Sequence, residues 1–115
     1  RTALLLVDCA TSTDGARAAA ALDAARAAGL PVVFSQCGMA EPQAAPQLAP
    51  REGEPVFLRP APGAFSAPLL EEHLALLGVD TLLVAGCGLL RGVHQTCVEA
   101  LERGLRVVLL RDCTE

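Results

Sequence analysis

The stretch from Val79 to Leu110 constrains the fold more than any other part of this chain, because it reads as strand, glycine-marked turn, helix and strand in immediate succession. Val79-Asp-Thr-Leu-Leu-Val-Ala is too short for a buried helix and stops at Gly86-Cys87-Gly88. A helical segment then closes at Gly104, and Leu105-Arg-Val-Val-Leu-Leu follows. This is a βαβ unit, and the loop leaving its first strand lies at the carboxyl edge of a sheet, where α/β proteins place their sites.

The rest of the chain continues the alternation. Ala3-Leu-Leu-Leu-Val reads as a strand stopping at Asp8, and Thr11-Ser-Thr-Asp-Gly can cap an alanine-rich helix from about Ala16 to Ala28, closed by Gly29 and Pro31. Pro31-Val-Val-Phe-Ser is the second strand. Pro42, Pro46, Pro50 and Pro55 forbid regular structure between Gly38 and Pro55, so this is a long surface excursion, the natural lid or insertion. Val56-Phe-Leu-Arg is the third strand. Pro68 to Leu77 reads as a helix with Pro in its first turn, acids near its start and Gly78 past its end. Parallel neighbours need crossovers of about a dozen residues and find them here. The prediction is therefore an α/β fold: a three-layer, doubly wound, mostly parallel, five-stranded sheet of Rossmann-like type.

Composition narrows the function classes. A chain of 115 residues, 52% hydrophobic, is one domain with a single core and is not disordered. No apolar run approaches the roughly 20 residues of a membrane helix, so a soluble protein without a membrane partner is expected. A net charge of −4 and nine scattered arginines make no clustered basic face, which speaks against nucleic acid as a partner. Five cysteines without a leader segment point to a reduced, cytoplasmic setting, although the chain opens at Arg1 rather than Met. The apolar last strand has no successor before Glu115 to cover its outer edge, and the 68–77 segment carries five leucines, so a homo-oligomer is expected.

Candidate site residues gather at the strand ends. Cys9, Cys37, Cys87 and Cys113 each fall just past a strand, but no C-x-x-C pair is present and ordinary packing is the stronger reading, as it is for Cys97 inside a helix. Asp8 follows five apolar residues with no polar relief, so its carboxylate must be solvated, paired or useful. A turn or helix cap is the competing role, and for Asp112 capping is the favoured one. Arg59, ending the third strand after Val-Phe-Leu, is the matching cation. His73, between acids and leucines, is assigned nothing; His94 has no Ser or Cys beside it from which a triad could be argued.

With these residues in view, the chain resembles the isochorismatase-like hydrolases, the cysteine hydrolase superfamily that also contains nicotinamidases and N-carbamoylsarcosine amidases. Members carry an apolar strand ending in Asp-Met-Gln, here Val7-Asp8-Cys9-Ala10, and a strand ending in Lys ahead of Ser-Ala-Phe, here Leu58-Arg59 ahead of Gly63-Ala64-Phe65. The most specific motif is a Gly, five variable residues, Cys-Val, a Thr three residues after that Val, then Ala, Gly and a strand. Gly86, Val93, Thr96, Ala100, Gly104 and the strand from Leu105 fit it, and Gly92 stands where the nucleophilic Cys belongs.

The resemblance implies Asp8 as acid/base, Arg59 as cation and Gly92 as the position of the missing nucleophile, with Arg91, Cys87, Gly88 and Phe65 around a ligand. Covalent amide hydrolysis needs the thiolate that a glycine cannot supply, and neither Cys87 nor Cys9 lies at the helix start. Isochorismatases of siderophore and phenazine biosynthesis also carry Gly there and cleave a vinyl ether by proton transfer from the Asp. This chain departs from them in Arg59 for Lys, Ala10 for Gln and Pro62-Gly63 for Tyr-Ser. The Asp-x-His metal signature is absent from Ser35 to Met39, so neither metal nor cofactor is implied. Members usually continue past the equivalent of Asp112-Cys113, so a single, shortened domain over residues 1–115 is the expectation. The expected function is that of a degenerate isochorismatase-like domain binding a small carboxylate or serving assembly; the alternative is non-covalent hydrolysis of a small carboxylate using Asp8 and Arg59.

Overall fold

The structure, a computed structural model, describes residues 1–8, 16–37, 49–86 and 90–114. Five strands, β1 (Thr2–Val7), β2 (Val32–Cys37), β3 (Val56–Arg59), β4 (Thr81–Gly86) and β5 (Arg106–Thr114), alternate with helices α1 (Ala16–Ala27), α2 (Leu70–Leu76) and α3 (Leu90–Glu102). Every strand pair is parallel, in the order β3-β2-β1-β4-β5. The order reverses between β1 and β4, and that switch point opens a crevice at the carboxyl ends of both strands.

The three layers follow from the period of β1. Ala3 to Val7 are all fully buried, because the central strand is covered on both faces. Leu4 and Leu6 join Leu22, Ala18 and Ala25 of α1 in one core cluster. Ala3, Leu5 and Val7 point the other way, to Leu70 and Leu74 of α2 and Val93 and Ala100 of α3. Each buried leucine contributes about 1.5–3 kcal/mol, so β1 is the spine of both cores. No helix among the described residues is long and apolar enough to cross a membrane.

Four element boundaries differ from the sequence reading. β2 runs on through Gln36 to Cys37, so Cys37 is a strand residue rather than the first beyond it. β4 begins at Thr81 instead of Val79 and ends on Gly86. Helix α2 starts at Leu70, two residues after Pro68, because Ala64–Ser66 first forms a 3-10 turn that the sequence reading lacked; the Ser66 hydroxyl closes it by donating to the Gly63 carbonyl at 2.7 Å. β5 does not stop at Leu110 but continues to Thr114, where it pairs with Gly86 after a register shift. Asp112 and Cys113 therefore sit within a strand, not past one. The predicted cap at Thr11 to Gly15 and the proline-rich excursion over 38–48 lie outside the described residues.

Candidate functional site

The switch-point crevice brings together three sequence-distant residues. Asp8 leaves β1 with φ 59, a left-handed conformation that Asp tolerates better than most side chains, and its N–H still donates to the Ser35 carbonyl at 2.8 Å. Its carboxylate meets Arg59 from the end of β3. Arg59 Nη1 donates to Asp8 Oδ1 at 2.9 Å and Nη2 to Oδ2 at 2.8 Å, a bidentate pair. Nη1 also donates to Ser35 Oγ at 2.9 Å, and Nε to the Pro62 carbonyl at 2.9 Å. Four of the five N–H groups of Arg59 are thus engaged. The fifth, on Nη2, has no partner among the described residues, and Arg59 is wholly buried.

Gly92 completes the cradle from the first turn of α3. A Cβ built on it would stand 3.0 Å from Arg59 Nη2, 3.0 Å from Asp8 Oδ2 and 3.3 Å from the Pro62 carbonyl oxygen. The absence of a side chain lets the helix start close against the ion pair. Glycine is required a second time at Gly86, where a Cβ would overlap the Val93 side chain and so drive α3 off the end of β4.

Residues of α3 also pin the 3-10 turn that carries Pro62 on its approach. Thr96 is buried; its hydroxyl accepts from the Ala64 N–H at 2.9 Å and donates to the Gly92 carbonyl at 2.7 Å. One turn later, Glu99 Oε1 accepts from the Phe65 N–H at 3.2 Å, and its carboxylate occupies the space that a side chain at Gly63 would need. A groove of about 300 Å³ lined by Ala61, Pro62, Gly63, Gln95 and Glu99 runs beside this turn.

Asp8, Arg59 and Gly92 are therefore together, as the sequence reading expected. Phe65 is not beside them in its recorded contacts: its ring is core, with the Arg103 guanidinium 4.6 Å above it. Arg91 falls in the first turn of α3, its side chain outside the described residues, as are Cys9, Cys87 and Gly88 altogether. Ser35, Thr96, Glu99 and the Pro62 carbonyl had no assigned role in the sequence reading. Only Thr96 carried a signal, its place in the motif. Cys97 is half-buried, and burial pushes its thiol up, away from reactivity. His94 is exposed, and His73 leans on the Phe57 ring at 5.5 Å. Among the described residues no group of three His, Cys, Asp or Glu side chains is placed to hold a metal ion.

A parallel sheet with a carboxylate, a cation and a helix start at its switch point is the arrangement of an isochorismatase-type α/β domain. This chain belongs to that family: the isochorismatase domain matches it over residues 2–115. It is 35% identical to the maleamate amidohydrolase of Pseudomonas putida KT2440 over 66 residues, 57% of this chain and 31% of that enzyme. The chain thus matches less than a third of that relative's length. Among solved structures it is similar to an isochorismatase from Pseudomonas putida KT2440, at TM-score 0.85 and 28% identity, covering 98% of this chain and 70% of that one. The fold also matches the N-carbamoylsarcosine amidase of Thermoplasma acidophilum at TM-score 0.87 and 21% identity, over 99% of this chain and 83% of that one.

Proposed function

We propose that this isochorismatase-family domain carries a degenerate site, without covalent cysteine chemistry, and binds a small carboxylate at the rim formed by Asp8, Arg59 and the start of α3. The observation that carries the reading is the state of Arg59. Its bidentate bond to Asp8 is closed, yet one buried N–H on Nη2 is left over among the described residues, beside a residue with no side chain. A ligand oxygen accepting that N–H, with the amides of the first helical turn adding to the field, would satisfy it without breaking the pair. Arg91, at the same helix start, is the second cation of the proposed site. Gly92 supplies no nucleophile, and a side chain there would press on the pair at 3.0 Å.

A second reading is favoured by the exposure of Asp8. Its side chain remains 19% exposed while its partner is enclosed, so the carboxylate is the member of the pair open to solvent. In that reading Asp8 transfers a proton in the non-covalent hydrolysis of a small carboxylate substrate, with Arg59 as electrostatic partner. The amidohydrolase named among the relatives lends it weight as a family precedent.

One experiment separates the two. Wild type and Asp8→Asn are screened for turnover of vinyl ether, amide and carbamoyl carboxylates, alongside melting shifts with the same compounds. Carboxylate-dependent shifts without turnover support the binding role. Turnover abolished by Asp8→Asn supports the hydrolase, and neither shift nor turnover removes both.

A further inference from the structure

We propose that the groove beside the 3-10 turn is a subsite for a hydrogen-bond-donating nitrogen, with the Glu99 carboxylate as its anchor and a primary ammonium as its preferred occupant. This deepens the reading above, which assigns only the carboxylate end of the ligand. The groove is lined by Ala61, Pro62, Gly63, Gln95 and Glu99, and Glu99 is the charged residue of that lining. Glu99 holds the turn through Oε1 alone, which accepts the Phe65 N–H; no second partner falls to its carboxylate among the described residues. A carboxylate oxygen selects donors and rejects anions.

The cation nearest along the helix does not neutralise Glu99. Arg103, four residues on, pairs with the Glu71 carboxylate, covers the Phe65 ring and donates to the Glu99 backbone carbonyl at 3.0 Å, not to the side chain. The negative charge is therefore open to a ligand.

Gly63 is what admits this carboxylate. Any side chain at that position would overlap Glu99, so the glycine and the acid form a matched pair. Where the resembling family carries Ser, this chain carries Gly63, and the Glu99 carboxylate fills the space a side chain there would need. The exchange changes what the rim recognises. Because Pro62 lines the groove and its carbonyl accepts from Arg59 Nε, an occupant of the groove lies next to the Asp8–Arg59 pair. A compound with an ammonium at one end and a carboxylate at the other spans both.

The test uses ethylammonium, propionamide, propionate and β-alanine as probes, titrated against the whole chain while the amide resonances of Gly63 and Phe65 are followed by NMR. Affinities in the millimolar range are expected for ligands this small. Ethylammonium should shift both resonances saturably, propionamide more weakly, and Glu99→Gln should weaken ethylammonium at least about tenfold, as loss of a charge-assisted bond does. Glu99→Gln keeps an oxygen for the Phe65 N–H, so the turn survives. Gly63→Ala, which pushes the carboxylate aside, should have the same effect by an independent route. No saturable ethylammonium shift, or one indifferent to Glu99→Gln, overturns the subsite. Propionate binding that persists without any ethylammonium binding overturns it while leaving the carboxylate reading intact; the reverse pattern keeps the subsite and removes the carboxylate reading.

Discussion

Arg59 is completely enclosed while Asp8 keeps 19% of its side-chain surface in solvent, so the buried member of the central ion pair is the cation. The two residues are separated by 51 positions and hold the tips of β1 and β3 across β2. Removing the anion strands a charge that cannot hydrate, whereas removing the cation leaves one that can.

The two halves of the pair are therefore expected to behave unequally. Asp8→Asn should cost about 3–5 kcal/mol, the usual result of leaving a buried charge uncompensated. Asn accepts the left-handed backbone at this position, so strain does not confound the result. Arg59→Met, which keeps most of the stem volume, should cost less. Urea unfolding of both variants reads the difference; equal losses would mean that Arg59 does not depend on Asp8 for its charge balance.

At Gly92 two opposing effects can be weighed. Gly→Ala inside a helix ordinarily gains about 1 kcal/mol. Here the new methyl would press on the ion pair at 3.0 Å, and overpacking costs about 1–3 kcal/mol. Gly92→Ala should therefore destabilise despite the better helix former, by about 1 kcal/mol. Gly92→Cys should cost at least as much and should also create a thiol more reactive than any native one, since it stands at a helix start beside a guanidinium. Alkylation rates measured against pH test this. A low-pKa thiolate already present in the wild type would show that the chain carries a nucleophile elsewhere.

The alternation of strands and helices, and the pairing of Asp8 with Arg59, were legible because both follow from local facts: an apolar run of the right length, and a charge at its end with no polar neighbour. The boundaries that moved are those set by partners. The apolar run of β5 stops at Leu110, but the loss of apolar side chains does not bar Arg111 and Asp112 from an edge strand whose backbone pairs again with β4 at Thr114. The 3-10 turn at Ala64 was missed because its N–H groups are satisfied by Thr96 and Glu99, more than thirty residues away, and no local pattern announces that. Ser35 was invisible for the same reason. Its hydroxyl matters only once β3 has brought Arg59 beside it.

A second ion pair sets a pH dependence far from the candidate site. Arg26, in the last turn of α1, donates Nη2 to Glu54 Oε1 at 2.5 Å and Nε to Oε2 at 2.9 Å, tying the helix to the approach of β3. The Arg26 hydrogen bond holds the Glu54 carboxyl below its ordinary 4.5. The folded state thus binds this proton less readily than the unfolded chain, and the stabilisation is fully present above pH 4.5 and lost as pH falls through the folded value. Glu54→Gln should cost about 1–3 kcal/mol at neutral pH and progressively less under acid. Unfolding curves for both proteins across pH 3 to 7 are expected to converge at the acid end. A constant gap would mean that the pair contributes nothing through its charge.

Self-association is the remaining expectation, and the described surface gives it a location. Helix α2 buries Leu70 and Leu74 in the core but leaves Leu76 81% and the preceding Leu69 60% exposed. Leu101 of α3 is 60% exposed, and Val108 and Leu109 are open on opposite faces of the edge strand β5. Exposed apolar groups on two helices and a sheet edge are covered by water at a cost, and a second copy would relieve part of it symmetrically. Light scattering is expected to give at least twice the 11.9 kDa of one chain. Leu69→Glu combined with Leu76→Glu should reduce that mass to a single chain with an unchanged circular dichroism spectrum, because neither leucine belongs to the core. A single-chain mass for the wild type itself would eliminate the oligomer and, with it, the assembly role.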